Sequence, residues 1–354
     1  MHEQDPPVTD TPITPPMSWK NRIVGMIFIT LVIAALWWLY ANRDTVRTIA
    51  KLDAGYLAAV VAVSIGGLIA RGWLTNHMML LPFGVRTTLR DWWGLAASTN
   101  LASVIVPLPA YMAIKPVFFK KMYGLRISSY TAVMLAQGLL AAVVASVAGL
   151  ILLESLDFTG VRHLDKLQRA LLITTFAPLS VLLIIIALKP EQPEAGPGFR
   201  KWLARSALGL RLLVQNKSTL VGILAMNVVL LSVDALRAAL MFRALSIDMP
   251  WSHGLLIGVF ARLALIQGIL PSGVGVYEFV IILVSPLMAL DKNVGILVAI
   301  ASRAVVILVA VPFGFWGGYL MRRRLGDAFD AQDLQTAMKA DASVAPAAED
   351  PPDG

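Results

Sequence analysis

Residues 219–247 read TLVGILAMNVVLLSVDALRAALMFRALSI. The run is apolar and long enough to cross roughly 30 Å of hydrocarbon as a helix, yet it carries Asp234 and Arg237 in its interior. An ionisable group in a membrane helix costs about 2.5–3.5 kcal/mol even on the lenient insertion scale, so it needs a partner or a watery cavity. Three residues apart, Asp234 and Arg237 share a helix face and can pair. This stretch already implies a helical membrane protein with polar residues inside its membrane region.

Further apolar runs lie at about 23–41, 55–81, 91–107, 128–153, 170–188, 254–271, 273–290 and 294–321. Of the 354 residues 57% are hydrophobic and only 15% charged, too few charges to clothe a soluble domain of this length. The ten-residue alternation of a membrane β-barrel is not seen. The expected fold class is an all-α polytopic membrane protein of about six to eight transmembrane helices. Its membrane domain is expected over 20–322, with disordered cytoplasmic segments at 1–19 and 323–354 and an amphipathic interfacial helix at about 199–214. The first apolar run reads as a retained span, since Trp37-Trp38-Leu39-Tyr40 offers no small-residue cleavage site.

The chain has no cysteine and four His, none paired at i,i+3 or i,i+4. Thiolate chemistry and Cys-ligated metals are excluded, and no cofactor or metal site is expected. The net charge of +8 sits in short loops between apolar runs, where it orients helices rather than binding nucleic acid. Lys20 and Arg22 at one end, and Arg322, Arg323 and Arg324 at the other, place both termini in the cytoplasm.

Nine full crossings cannot leave both termini on one side. The conflict disappears if some runs enter and leave by the same face as two re-entrant hairpins, one around Pro107 and one around Pro271, which leaves six spans. Run 91–107 ends in Pro107-Leu108-Pro109, and run 254–271 ends in Pro271-Ser272-Gly273-Val274-Gly275; both must break there. Aligning Pro107 with Pro271 superimposes two similar units, each a polar-containing helix, a Pro break and a second apolar helix. Dipping from opposite faces, they would form an inverted repeat with a site near the midplane.

The candidate binding residues gather around these breaks. Arg262 and Gln267 precede the second break, Glu278 follows it by one turn, and Arg303 lies within the last span. In the first half Arg71, Asn100 and Gln137 are comparable. The glycines Gly273 and Gly275 let backbone approach a ligand, and the next helix begins with unpaired N–H groups that favour anions. With Arg262 and Arg303 nearby, a phosphate or carboxylate is the expected ligand. Glu278 can balance these cations or exchange a proton. The plainer alternative is that Asp234–Arg237 and Glu278–Arg303 are static pairs.

The stretch from Leu231 to Leu320 resembles the membrane region of the lysylphosphatidylglycerol synthase family, often labelled flippase-like. Asp234-Ala-Leu-Arg237 is followed by Arg243-Ala-Leu-Ser-Ile-Asp248. Pro271-Ser-Gly-Val-Gly-Val-Tyr-Glu278 is similar to the family's Pro-Gly-Gly-x-Gly-x-x-Glu signature, with Ser272 replacing its first Gly. Arg303 matches the Arg of the family's final helix, and Asn100 with Pro107 matches the upstream element. There the family continues Pro-x-Arg-x-Gly-Glu and a later Arg, whereas this chain has Pro109, Tyr111 and Met112, with Lys115 nearest the later basic residue. The resemblance therefore does not carry a symmetric two-acid mechanism.

It implies a carrier that binds and translocates a lipid with a phosphate-containing headgroup across a bacterial-type cytoplasmic membrane. The chain is not expected to be an enzyme: no nucleophile–base pair is visible, and no soluble transferase domain follows the membrane part. The alternatives are an intramembrane lipid transferase, or a scaffold for a lipid-modifying enzyme partner. Small-residue pairs such as Gly66-Gly67 and Gly317-Gly318 allow a homo-oligomer. No phosphate-binding loop of the Gly-x-x-x-x-Gly-Lys-Ser/Thr type is present, so any uphill movement must draw on a gradient or a partner.

Overall fold

The computed structural model describes residues 52–105, 108–155, a few helical positions between 169 and 180, then 211–266, 276–288 and 290–325. Eight α-helices organise them: α1 (Ala54–Asn76), α2 (Leu89–Ile105), α3 (Leu108–Tyr123), α4 (Ile127–Ser155), α5 (Lys217–Ala244), α6 (Trp251–Ile266), α7 (Val276–Val284) and α8 (Lys292–Leu325). Among the described residues there is no strand. Pro107, Gln267, Pro271, Gly273 and Gly275 lie outside the described residues, as do the first apolar run, positions 199–210 and both tails.

Local sequence sets the ends of these helices. Asp53 caps α1, its Oδ1 accepting from the amides of Gly55 at 2.8 Å and Tyr56 at 3.0 Å. Asn216 caps α5 by accepting from the Thr219 amide. The chain leaves α5 through Ser246, which adopts a left-handed φ of 59°. Pro116 and Pro312 sit inside α3 and α8, which membrane helices tolerate where neighbours cover the freed backbone.

Length divides the helices into two classes. The spans Ala54–Phe83, Ser129–Glu154, Lys217–Ala244 and Asn293–Arg324 are long and apolar enough to cross a membrane. They correspond to α1 with its short 3-10 extension, α4, α5 and α8. Helices α2, α3 and α6 have 17, 16 and 16 residues and α7 has nine. Over their described residues none exceeds about 26 Å at 1.5 Å per residue, and each borders residues outside the described ones.

The core is largely apolar, but large apolar side chains also face outward and a few charges are buried. Ile151, Val221, Leu308 and Phe315 are each more than half exposed, while Asp91, Asp234 and Arg262 are buried. Apolar surface outside and paired charge inside is what a lipid solvent selects. The protein is thus an all-α multi-pass membrane protein.

The packing follows a repeat of four helices. Helix α1 packs on α2 as α5 does on α6; α2 on α3 as α6 on α7; and α3 on α4 as α7 on α8. The units also interlock reciprocally, α2 against α8 and α6 against α4, while α1 meets α5. Glycine permits the closest of these approaches. A Cβ on Gly317 of α8 would stand 2.7 Å from the Gly94 carbonyl oxygen of α2, and one on Gly258 of α6 would stand 2.8 Å from the Ala235 nitrogen of α5. Without a hydrophobic drive between helices in lipid, such close approach is a main source of association.

Candidate functional site

One buried carboxylate lies among three guanidinium groups. Asp234, buried on α5, lies 3.8 Å from Arg71 of α1, 3.8 Å from Arg237 one turn along α5, and 3.3 Å from Arg262 of α6. The Tyr277 hydroxyl of α7 donates to the Asp234 carbonyl oxygen at 3.3 Å. The Arg237 guanidinium stacks over the Tyr277 ring, 3.9 Å from its centroid. Asp234 Oδ2, Arg237 Nε and Arg262 Nε and Nη2 make no aligned hydrogen bond among the described residues. One acid is thus shared electrostatically by three cations and leaves them hydrogen-bonding capacity.

The packing of α1 on α5 explains how these groups meet. Gly67 of α1 lies against Val233 of α5, and Arg71 and Arg237, each four residues further along, both turn to the Asp234 carboxylate.

Two cavities open beside this cluster. The larger, about 350 Å³, is lined by Arg71, Thr75, Thr99, Asn100, Ser103 and Lys115, with apolar walls from Leu68, Ala96 and Met134. The smaller, about 90 Å³, is bounded by Ser64, Arg71, Asn100, Asp234 and Arg237. Leu68, Arg71 and Asn100 belong to both walls. The Arg71 side chain is 47% accessible and lines both cavities. Lys115 Nζ donates to Thr75 Oγ1 at 3.5 Å, and that hydroxyl donates to the Arg71 carbonyl oxygen at 2.9 Å. The Thr99 and Ser103 hydroxyls also donate back to helix carbonyls. Arg71, Lys115 and the Asn100 amide are left as the donors facing the larger cavity.

A second ion pair joins Glu278, in the first turn of α7, to Arg303 of α8 at 3.7 Å. The expectation that Arg262 and Arg303 would jointly face a phosphate is therefore modified: each faces a carboxylate of the second half. Gln137 is structural. Its Nε2 donates to Asn227 Oδ1 at 3.0 Å, and Asn227 Nδ2 returns a longer bond of 3.5 Å, tying α4 to α5. Beyond the membrane-crossing helices' interiors, buried Asp91 accepts from the Tyr123 hydroxyl and meets Arg324 at 3.4 Å, tying together α2, α3 and α8. Burial, reinforced by the Asp91 carboxylate, pushes the Tyr123 hydroxyl up to about 12, so it stays a donor. Among the described residues no group of three metal-ligating side chains is found.

Asn100 and Lys115 do line one cavity, and Asp234, Arg237 and Arg262 do form one cluster. Sequence reasoning undervalued Arg71, Thr75, Thr99 and Ser103. Arg71 was legible as a lone cation in an apolar run, but the three hydroxyls carry no signal without the cavity.

The sequence model of one family, described as the lysylphosphatidylglycerol synthase TM region, matches residues 23–314. The chain belongs to that family. No curated protein and no solved structure matches it. The family's matched region contains both cavities and both ion-pair clusters, so the polar interior lies within the part that defines membership. Membership in the lysylphosphatidylglycerol synthase TM-region family associates this membrane protein with lipid metabolism or transport.

Proposed function

We propose that the protein binds a lipid with a phosphate-containing headgroup and carries it across the bacterial-type cytoplasmic membrane, with both termini on the cytoplasmic side. The observation that carries this reading is the polar cavity of about 350 Å³ beside an over-subscribed carboxylate, inside a family tied to membrane lipid. Charge kept inside a membrane protein marks substrate pathways, because the cost of burying it must be offset by use or by pairing.

In this mechanism α2–α3 and α6–α7 are the two re-entrant hairpins, entering from opposite faces as an inverted repeat. A headgroup in the larger cavity meets Arg71, Lys115 and Asn100. Arg71 exchanges its contact with Asp234 for one with the phosphate, while Arg237 and Arg262 keep the carboxylate neutralised. Movement of the hairpins, each bearing one end of an ion pair, then opens the site to the other face. Glu278, paired with Arg303, gates the second hairpin or couples it to protons. Energy for uphill movement comes from a gradient or a partner.

The test is translocation of a fluorescently tagged phospholipid in proteoliposomes, read by chemical quenching of the outer leaflet. Wild type is expected to accelerate exchange over empty vesicles, and Glu278→Gln to abolish the acceleration with an unchanged melting curve. No acceleration by wild type, across several phosphate-bearing lipids, would reject the carrier. Full activity in a folded Glu278→Gln would reject the role of that residue.

A further inference from the structure

The two neighbouring cavities are charged unevenly, and the imbalance has chemical content. Among the described residues, the charged groups on or against them are four cations (Arg71, Lys115, Arg237 and Arg262) and one carboxylate (Asp234). Glu278 is paired with Arg303 at 3.7 Å, so counting these two together leaves the net positive excess unchanged. No carboxylate among the described residues lies within ion-pair distance of Lys115, whose described hydrogen bond is the long one to Thr75. Arg71 reaches Asp234 only at 3.8 Å, in competition with two other guanidiniums. In a medium of low polarisability such an excess is relieved by bound anion, and each further negative charge on the ligand adds to the attraction.

We infer that the cavity between Arg71 and Lys115 takes a phosphate group carrying two or more negative charges, a phosphomonoester or a diphosphate, in preference to a phosphodiester or an aminoacylated headgroup. The inference rests on the carrier reading for its lipid and on the cavity alone for its charge. A phosphodiester brings one negative charge and two unesterified oxygens. A phosphomonoester, whose second ionisation falls near pH 6, brings nearly two charges and three terminal oxygens at neutral pH. Those three acceptors match the Arg71 fork, the Lys115 ammonium and the Asn100 amide, the donors that face the space. An aminoacylated headgroup would bring ammonium groups against Arg71 and Lys115, with the one nearby acid already shared by three arginines. The family takes its description from such a lipid, so the cavity of this member differs in charge from what that cargo would need.

The full chain, purified in mild detergent, is offered equimolar phosphatidic acid, phosphatidylglycerol and lysylphosphatidylglycerol with identical acyl chains, and retained lipid is read by native mass spectrometry. Phosphatidic acid is expected to be retained roughly tenfold over phosphatidylglycerol, the size of one added charge-assisted contact, with the lysyl lipid retained least. Lys115→Gln should level the two anionic lipids and Lys115→Arg should keep the preference, which separates a lost charge from a folding defect. Equal retention of phosphatidylglycerol or of the lysyl lipid by wild type overturns the inference, as does a preference that survives Lys115→Gln. Inorganic diphosphate, added alone, distinguishes the sources. If it binds in a Lys115-dependent way while proteoliposomes move no lipid, the polyanion site stands and the lipid carrier falls. If proteoliposomes move lipid and diphosphate does not bind, retention of phosphatidic acid alone decides whether the site reads lipid-borne phosphate.

Discussion

The two four-helix units share a packing plan but not a charge plan. In the unit α5–α8, Asp234 faces Arg237 and Arg262, and Glu278 faces Arg303. In the unit α1–α4, among the described residues, Arg71 and Lys115 have no carboxylate of their own unit within ion-pair distance. Arg71 borrows the acid of the other unit across the α1–α5 contact. The lesson is that two units can share a packing plan and differ in their charge pairs, which leaves Arg71 and Lys115 beside one cavity.

The most damaging change should be removal of the shared acid. Asp234→Asn leaves three buried or half-buried arginines without a counter-ion, and breaking a buried pair commonly costs about 3–5 kcal/mol. The loss should lie toward the lower end, since Arg71 can turn to the cavity. A clear fall in detergent melting temperature is expected, with Asp234→Glu retaining most of the stability. An unchanged melting curve would mean that the three arginines already carry enough solvent or lipid phosphate to do without the acid.

Adding an acid to the first unit is a sharper probe of the difference between the units. Leu68→Asp gives Arg71 a carboxylate on its own helix, facing both cavities. Transport of the tagged lipid should fall roughly tenfold, the value of about one charge-assisted contact, with the protein still folded. Undiminished transport would show that the positive excess of the first unit is not what seats the headgroup.

The smallest expected effect concerns the bond between units. Truncating Asn227 to Leu strands the Gln137 amide, which should cost about 0.6–1.7 kcal/mol, the range for polar contacts between membrane helices. The double change Gln137→Leu with Asn227→Leu should recover most of it, because two apolar groups leave nothing unsatisfied. Reversible unfolding in mixed micelles measures both. A loss of transport from the double variant, at full stability, would move this pair from structure into function.

Much of the architecture was legible in the chain. Twenty-residue apolar runs can only be membrane helices, and Pro107 and Pro271 mark comparable points in two similar stretches. The four long helices found among the described residues are four of the six expected crossings, and α2, α3, α6 and α7 fall in the segments assigned to hairpins. The local pair Asp234–Arg237 was also readable, since three residues along a helix place two side chains on one face.

What the sequence by itself determined is therefore what acts along the chain: hydropathy over a span, a proline break, a pair one turn apart, and the repeat that these imply. Tertiary structure decided which charges share an acid. Nothing along the chain says that Arg71 reaches Asp234, 163 residues away, or that Arg262 turns to Asp234 while Arg303 turns to Glu278. Those choices depend on the close glycine contacts that bring α1 to α5 and α5 to α6. Coulomb attraction acts through space, so the partners of a buried charge are set by helix packing and not by its neighbours in sequence.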